Sequence, residues 1–264
     1  MRLSARDYTV YKVTPTDALA DFQDLTSSTS KHAPGGSHTQ FGELLWSDSR
    51  ASDPFLNAVT PLSSVRTPSI SAIQHALQAC ADTRSPFSWW FHEHLPPEAA
   101  TAGFEAVEST ALMSLVTPND SQLPAVNGLV TPGYDLAEFF TTASLGFEDN
   151  NIEFSSLVRV FEPLVKAGTV VPLVVRDAGL VVGTLLLHLG RENLSRAGIY
   201  WVSTLPASRG NGIASALVKY AIQYASAMQR THVVLQSSQM AEHIYRQLGF
   251  SLQGRMGIAK RTTA

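Results

Sequence analysis

The stretch PASRGNGIASAL, residues 206–217, places a glycine-rich turn between an apolar run and an amphipathic run. A turn that opens a helix leaves backbone N–H groups unpaired beside the positive end of the helix dipole. Glycine lets a phosphate approach those groups closely. The residue types and their order therefore predict a site for an anionic, phosphate-bearing ligand.

Two common nucleotide-binding patterns do not fit this turn. The dinucleotide pattern G-x-G-x-x-G needs a third glycine where Ser215 stands and an acidic residue about 20 positions further on, and neither is present. The Walker pattern needs Gly-Lys-Ser/Thr, which the turn also lacks. The pattern that does fit is R-x-x-G-x-A, which begins at Arg209 and ends at Ala214.

The elements around the turn alternate between strand and helix. Two β-branched runs split by Asp177, Ala178 and Gly179 predict a tight hairpin over 170–190. This alternation with a hairpin predicts an α/β fold with a mixed sheet, of the α+β kind. The other predicted elements of this half are helices over 134–147 and 151–167, strand 199–205, helix 211–228, strand 232–237, helix 239–248 and a final strand pair.

The first half of the chain predicts a similar order of elements. Strands are expected over 54–62, 86–93 and 109–116, with helices over 67–83 and 95–104. Gly103-Phe104 and Gly249-Phe250 end comparable segments, so the chain is interpreted as a duplicated unit. The polar stretch 25–40 is expected to be a long loop and a possible lid.

The turn, together with AEHIYRQLGF at residues 241–250, resembles the GNAT superfamily of acetyl-CoA-dependent N-acetyltransferases. The resemblance covers roughly residues 124–264. It implies a GNAT fold in tandem, with a degenerate GNAT-like domain over 1–120 and an acetyltransferase domain over 121–264. Acetyl-CoA is the implied co-substrate, and the implied reaction needs no metal.

The resemblance assigns coenzyme A contacts residue by residue. In the family, the strand before the turn splays from its neighbour and pairs with the pantetheine arm, which corresponds to the backbone of Val202 and Thr204. Arg209 begins the motif and either meets the ligand or closes the loop as a surface arginine. The implied pyrophosphate cradle consists of Gly210, Asn211, Gly212, Ile213, Ala214 and Ser215.

Tyr245 matches the family's general acid, which protonates the departing thiolate. The alternative is an aromatic side chain that packs a helix face beside Ile244 and Leu248. Ser238 stands where relatives often carry an asparagine that contacts pantetheine. Its hydroxyl can form a similar hydrogen bond but reaches less far.

The general base is not identifiable from the sequence, because GIYWVSTLP contains no carboxylate. Glu148, Asp149 and His188 are candidates, each also readable as an ordinary surface or packed residue. In the first half, SSVRTPSI replaces the glycine-rich loop and Ala99 stands where Tyr245 would align. This half is therefore expected to support the sheet or to shape the acceptor pocket.

Composition restricts the partners. A formal charge of −3 over 264 residues gives no basic stripe for nucleic acid, and no apolar run is long enough to cross a membrane. Cys80 is the single cysteine, so no internal disulfide is possible and a cytoplasmic protein is expected. A monomer or homodimer is expected. His92 and His94 flank Glu93 but lack a third metal ligand.

The predicted function is transfer of an acetyl group from acetyl-CoA to a primary amine of a small molecule. Three alternatives remain open at this point. The chain is a sensor of acyl-CoA or a lapsed, non-catalytic module; it transfers a different acyl group from coenzyme A or an acyl carrier protein; or it acetylates a peptide. Acetyl-CoA turnover with a panel of acceptors distinguishes them.

Overall fold

The computed structural model describes residues 15–62, 67–118, 130–148, 154–190 and 195–261. Within these ranges, eleven strands form one mixed sheet. The strands are β1 Ser37–Phe41, β2 Leu44–Asp48, β3 Ala58–Pro61, β4 Phe87–Phe91, β5 Glu105–Val116, β6 Val130–Pro132, β7 Val170–Asp177, β8 Leu180–His188, β9 Arg196–Thr204, β10 His232–Ser237 and β11 Ser251–Arg261. The helices are α1 Pro15–His32, α2 Ile70–Ala81, α3 Pro97–Thr101, α4 Leu136–Phe147, α5 Phe154–Lys166, α6 Ile213–Ala227 and α7 Glu242–Gln247.

The sheet has an internal pseudo-symmetry. Its strand order is β1-β2-β3-β4-β11-β5-β10-β9-β8-β7-β6. If each strand from β1 to β5 is exchanged with the corresponding strand from β7 to β11, the order read from the other end of the sheet is the same. Among the described strands, only the edge strand β6 has no counterpart. The pairing types also correspond, since β3 with β4 and β9 with β10 are the parallel pairs. The predicted duplication is confirmed, and we call residues 15–118 the first unit and residues 130–261 the second unit.

The two units exchange their last strands at the centre of the sheet. β5 of the first unit pairs with β10, and β11 of the second unit pairs with β4 as well as with β5. Because each unit completes the sheet of the other, we expect the described residues to unfold together rather than unit by unit. The predicted domain boundary between residues 120 and 121 lies outside the described residues.

The aligned Gly-Phe segments have the same local geometry. Gly103 and Gly249 both have positive φ, at 87° and 95°. The amide of Phe104 donates to Ala99 O at 3.1 Å, and the amide of Phe250 donates to Tyr245 O at 3.0 Å. These are helix ends of the kind that glycine permits. The predicted alignment of Ala99 with Tyr245 therefore holds in three dimensions.

The predicted hairpin is also confirmed. β7 and β8 pair from Val170 with His188 to Asp177 with Leu180, with a register shift between Val175 and Arg176, and they are joined by a two-residue turn. Ala178 and Gly179 have φ values of 47° and 86°, which is the left-handed conformation that a tight hairpin of this hand requires.

The predicted loop over residues 25–40 is wrong. Residues up to His32 belong to α1, and β1 begins at Ser37. The hydroxyl groups of this serine- and threonine-rich helix bond back to its own carbonyls, as Thr29 and Ser30 do to Thr26 O at 3.0 and 2.8 Å. Phe22 and Leu25, which belong to the same helix, are buried. The polar side chains are therefore satisfied inside the helix, and its apolar residues hold it against the protein.

The predicted final strand pair is a single strand, β11, with register shifts near Gln253 and after Ile258. His92 lies beyond the end of β4, which stops at Phe91, so the strand predicted over 86–93 is shorter than expected. Among the described residues, no helix combines the length and apolarity that crossing a bilayer requires.

Candidate functional site

The parallel strands β9 and β10 pair over only part of their length. Their register runs from Arg196 with His232 to Ile199 with Leu235, and no pair follows. Beyond Ile199 the strands separate, which leaves a split between their carboxyl ends that we call the β9–β10 split. Ligands of open α/β sheets bind in crevices outside the carboxyl ends of strands, so this split is the candidate site.

A β-bulge in β9 accompanies the split. Tyr200 pairs with Leu186 and Ser203 pairs with Thr184, so Trp201 and Val202 together face Leu185. Trp201 has a φ of 53°, which is uncommon for a bulky residue. Thr184 Oγ1 donates to Trp201 O at 3.0 Å and holds the bulge in place. The bulge puts the rings of Tyr200 and Trp201 in the same apolar cluster with α4 and α5.

The positions predicted to meet pantetheine lie along the split. The amide of Leu205 donates to Val182 O at 2.9 Å, so by the alternation of an antiparallel ladder the main-chain groups of Thr204 turn away from β8. Thr204 Oγ1 is buried and has no hydrogen-bond partner among the described residues. Val202 is part of the bulge and lies on the segment of β9 that no longer pairs with β10.

The glycine-rich turn leads from β9 into α6. Gly210 and Gly212 have φ values of 81° and 74°, and nothing lies within 4 Å of where a Cβ would stand on either. Gly212 precedes the first helical residue, Ile213, and no side chain caps this helix end. Among the hydrogen bonds of the described residues, none is donated by a main-chain amide from Gly210 to Ser215. The predicted cradle is thus a row of unpaired donors at a helix N-terminus.

Arg209 closes the turn onto α4. Its Nη2 donates to Gly146 O at 2.7 Å, its Nε to Thr204 O at 3.4 Å, and its Nη1 lies 3.1 Å from Glu148 Oε1. A Cβ on Gly146 would lie 1.8 Å from Ser203 Oγ, so glycine is required where α4 approaches β9. Of the two roles considered for Arg209, loop closure is the one its contacts serve. Glu148 is its partner, and Asp149 lies outside the described residues.

Tyr245 lies on α7 within the apolar cluster that covers the α6 face of the sheet. Its side chain is 7% exposed, and its ring meets Phe250 edge to face at 5.8 Å. Burial raises the pKa of the Tyr245 phenol above its ordinary range. The phenol is protonated at neutral pH, as any tyrosine of ordinary pKa is, and its burial makes it a weaker acid.

Ser238 lies one residue beyond β10. Its carbonyl accepts the amides of Ala241 and Glu242, both at 3.2 Å, and so starts α7. With Glu108 and Ser109 of β5 and with Gln239, it lines an open cleft of about 520 Å³. Ser238 also follows the carboxyl end of β10, which forms one side of the split, so its contact with pantetheine stays a prediction.

A buried polar cluster was not predicted from the sequence. Asp21 of α1 accepts a hydrogen bond from Tyr200 Oη at 2.7 Å through Oδ2, and His188 Nδ1 lies 3.2 Å from the same oxygen. A Cβ on Gly198 would lie 1.9 Å from that oxygen, so this glycine admits the carboxylate to the sheet. Asp21 and His188 are each 1% exposed. The sequence does not predict this cluster, because Asp21 lies far from Tyr200 and His188 in the chain and meets them only where α1 packs on the second unit.

His188 is therefore not an isolated histidine at a strand end. Burial alone would lower its pKa, but the nearby carboxylates of Asp21 and Asp24 outweigh that effect and raise the pKa of His188. Burial and the Asp21 carboxylate also raise the pKa of Tyr200 well above its ordinary range. The cluster links the two units through charge-assisted hydrogen bonds.

Comparison with known proteins gives a family match for part of the chain. Residues 136–250 match the family model described as Acetyltransferase (GNAT) family. A search of curated proteins found no significant match.

Similar solved structures span nearly the whole chain. A GCN5-related N-acetyltransferase from Kribbella flavida is 18% identical, with 97% of this chain and 98% of that chain covered and a TM-score of 0.66. A GCN5-related N-acetyltransferase from Sphaerobacter thermophilus is 16% identical, with coverages of 83% and 80% and a TM-score of 0.56. A tandem GNAT protein from the clavulanic acid biosynthesis pathway is 12% identical, with coverages of 96% and 97% and a TM-score of 0.51.

Proposed function

Since residues 136–250 form a domain of the GNAT acetyltransferase family, within a chain that has a tandem GNAT fold, we propose that the protein transfers an acetyl group from acetyl-CoA to a primary amine of a small molecule. Acetyl-CoA is the donor that this family uses. The observation that carries the proposal is the row of unpaired amides from Gly210 to Ser215 at the mouth of the β9–β10 split.

The proposed donor site has two parts. The amides of the turn and the dipole of α6 hold the pyrophosphate, which has the charge and the oxygen acceptors that such a helix end favours. The pantetheine arm runs along β9 from Thr204 towards Tyr200, a distance of about 13 Å at the usual rise of a strand. The thioester then lies near the point where β9 and β10 separate. Arg209 holds the turn in place through α4.

The proposed reaction is direct attack. The amine nitrogen bonds to the acyl carbon, the C–S bond breaks with its electron pair on sulfur, and Tyr245 gives the thiolate its proton. A tyrosine carries its proton at neutral pH, so Tyr245 has one to give. Transfer in a single step needs the amine and the thioester to be held together, so we expect the acceptor to bind next to the split.

An assay of thiol release from acetyl-CoA, with a panel of small amines, amino acids and peptides, tests this proposal. We expect acceptor-dependent release with at least one small amine. The acetylated product, identified by mass spectrometry, should carry the acetyl group on nitrogen. Tight coenzyme A binding without release for any acceptor would contradict catalysis and favour the sensor alternative. Release only with peptides would contradict the small-molecule acceptor.

A further inference from the structure

The buried polar cluster beneath α1 reaches the β9–β10 split. Tyr200 is the first residue of β9 beyond the last pair with β10, so it stands where the two strands begin to separate. Its hydroxyl donates to Asp21 Oδ2 at 2.7 Å. The side chain of Gln236 on the facing strand donates to Ala18 O of α1 at 2.7 Å, so α1 is fixed over both strands at this point.

Tyr200 and Tyr245 approach the split from opposite faces of the sheet. Tyr245 belongs to the apolar cluster with α6, whereas Tyr200 packs against the clusters beneath α1, α4 and α5. A thioester in the split would therefore have one phenol on each face. The phenol on the α6 face is the proposed acid for the thiolate, which leaves the other face for the incoming amine.

The second unit supplies no carboxylate on the splayed strand, but the first unit places one behind Tyr200. On this basis, which rests on the proposed acetyl transfer, we propose that Asp21 of α1, acting through the Tyr200 hydroxyl, accepts the proton that the acceptor amine must lose. Tyr200 is the group that contacts the amine. Asp21 is the base at the end of the relay, and it belongs to the unit that lacks the coenzyme A motif.

The proton balance of the step is complete. One proton of the ammonium moves to Tyr200 Oη as the Tyr200 proton moves to Asp21 Oδ2, which frees the nitrogen lone pair. After that pair has bonded to the acyl carbon and the C–S bond has broken, Tyr245 protonates the thiolate and recovers a proton from the new amide nitrogen. Asp21 then returns its proton to solvent.

A route to solvent exists on the far side of the cluster. Asp24 Oδ2 lies 3.8 Å from His188 Nε2, and Arg196 Nε lies 3.8 Å from Asp21 Oδ1. Both Asp24 and Arg196 line a cleft of about 250 Å³ along α1. Among the described side chains, the charged and titratable groups that face Asp21 are thus His188 of β8, Arg196 and Tyr200 of β9, and Asp24 of α1 itself.

The test compares Asp21→Asn and Tyr200→Phe with wild type over a range of pH. General base catalysis contributes about 10²- to 10⁴-fold, so kcat/KM at pH 7 should fall by about 10²-fold or more in either variant. Without the relay, only amine that is already uncharged can react. The loss should therefore shrink with rising pH, as kcat/KM follows the free-amine fraction towards the acceptor's own pKa.

Controls separate the relay from a structural role. Glu162→Gln removes an exposed carboxylate of α5 that pairs with Lys166, and Tyr224→Phe removes a phenol hydroxyl from α6. Both should keep the wild-type pH profile. Coenzyme A affinity, measured by calorimetry, should stay within about twofold in every variant, because none of these side chains belongs to the proposed pyrophosphate cradle. If Asp21→Asn does not fold, Tyr200→Phe decides, since it keeps the ring.

Three outcomes would overturn the inference, and they are distinguishable. Wild-type turnover with unchanged pH profiles in Asp21→Asn or Tyr200→Phe would reject the relay and leave acetyl transfer standing. A loss of activity that is equal at every pH would also reject it, since that is the signature of a misplaced site. Absence of turnover in wild type with every acceptor would overturn both proposals together.

Discussion

The two units present corresponding helix N-termini in different states. In the second unit, α6 begins with Gly212 and no side chain caps it. In the first unit, the corresponding helix α2 is capped by Ser69, whose Oγ accepts the amide of Ala72 at 3.4 Å. The Glu43 carboxylate accepts both the Ser69 hydroxyl, at 2.8 Å, and the Ser69 amide, at 3.3 Å. The protein's own anion thus occupies the place that α6 leaves open.

The corresponding strands differ in the same way. β3 and β4 also pair only over Ala58 with Ser88 and Val59 with Trp89. Beyond that point Gln23 of α1 donates to Thr60 Oγ1 and Pro61 O, both at 2.9 Å. The Gln23 side chain therefore fills the space beside the end of β3 in the first unit.

The two units therefore contribute different parts of the proposed site. In the first unit Ser69 and Glu43 fill the helix end, and α1 of this unit reaches Tyr200 and His188 of the second. The second unit kept the open turn and a tyrosine at the position where the first has Ala99. Retaining both units is expected because the exchange of β5 and β11 makes each part of the other's sheet.

The largest effect is expected from Gly212→Asp. A carboxylate at this helix end repels the pyrophosphate, and the positive φ adds strain on the order of 1 kcal/mol. Coenzyme A affinity, measured by calorimetry, should fall more than 100-fold. Gly179→Asp is the matched control, since Gly179 also has a positive φ with open space around it but lies in the hairpin turn. Equal affinities for Gly212→Asp and wild type would place the donor site elsewhere.

Tyr245→Phe should have the next largest effect. Loss of the proton donor is expected to lower kcat by about 10²-fold. Coenzyme A affinity should change little, because the ring still packs against Phe250. Adding Ala99→Tyr to the Tyr245→Phe variant is not expected to restore turnover, because the first unit has no open site for coenzyme A. Full turnover by Tyr245→Phe would remove its role as the acid.

The smallest effect is expected from Ser69→Ala. Removing the cap of α2 should lower the free energy of unfolding by about 1 kcal/mol. Coenzyme A affinity and turnover should stay at the wild-type level, because α2 is outside the proposed site. Thermal melting and calorimetry on the same preparation measure both. A large loss of coenzyme A affinity would mean that the first unit takes part in donor binding.

Local features of the second unit were predictable from the sequence. The glycine-rich turn, the Ala178-Gly179 hairpin and the Gly-Phe helix ends each depend on residues close together in the chain. Glycine at positive φ and alternating apolar residues leave a local signature, so the mixed sheet and the order of elements followed from them.

Features that depend on distant contacts were not predictable. The second half of α1, from Leu25, has a polar sequence that predicts a loop. It is helical because Phe22 and Leu25 of the same helix are buried and its hydroxyls bond to carbonyls within it. The residues near Trp201 do not predict the bulge, which is stabilised by a hydrogen bond from Thr184 of the neighbouring strand β8. Asp21, Gly198 and Tyr200 form one cluster only after α1 has crossed between the units.

Amide hydrogen exchange with and without coenzyme A tests the difference between the two helix ends most directly. If the unpaired amides of the second unit bind the pyrophosphate, peptides that span Gly210–Ser215 should exchange more slowly when the ligand is present. Peptides that span residues 67–72, where Ser69 and Glu43 already fill the helix end, should exchange at the same rate in both states. Unchanged exchange over Gly210–Ser215 in the presence of saturating coenzyme A, or protection over residues 67–72 instead, would contradict the account.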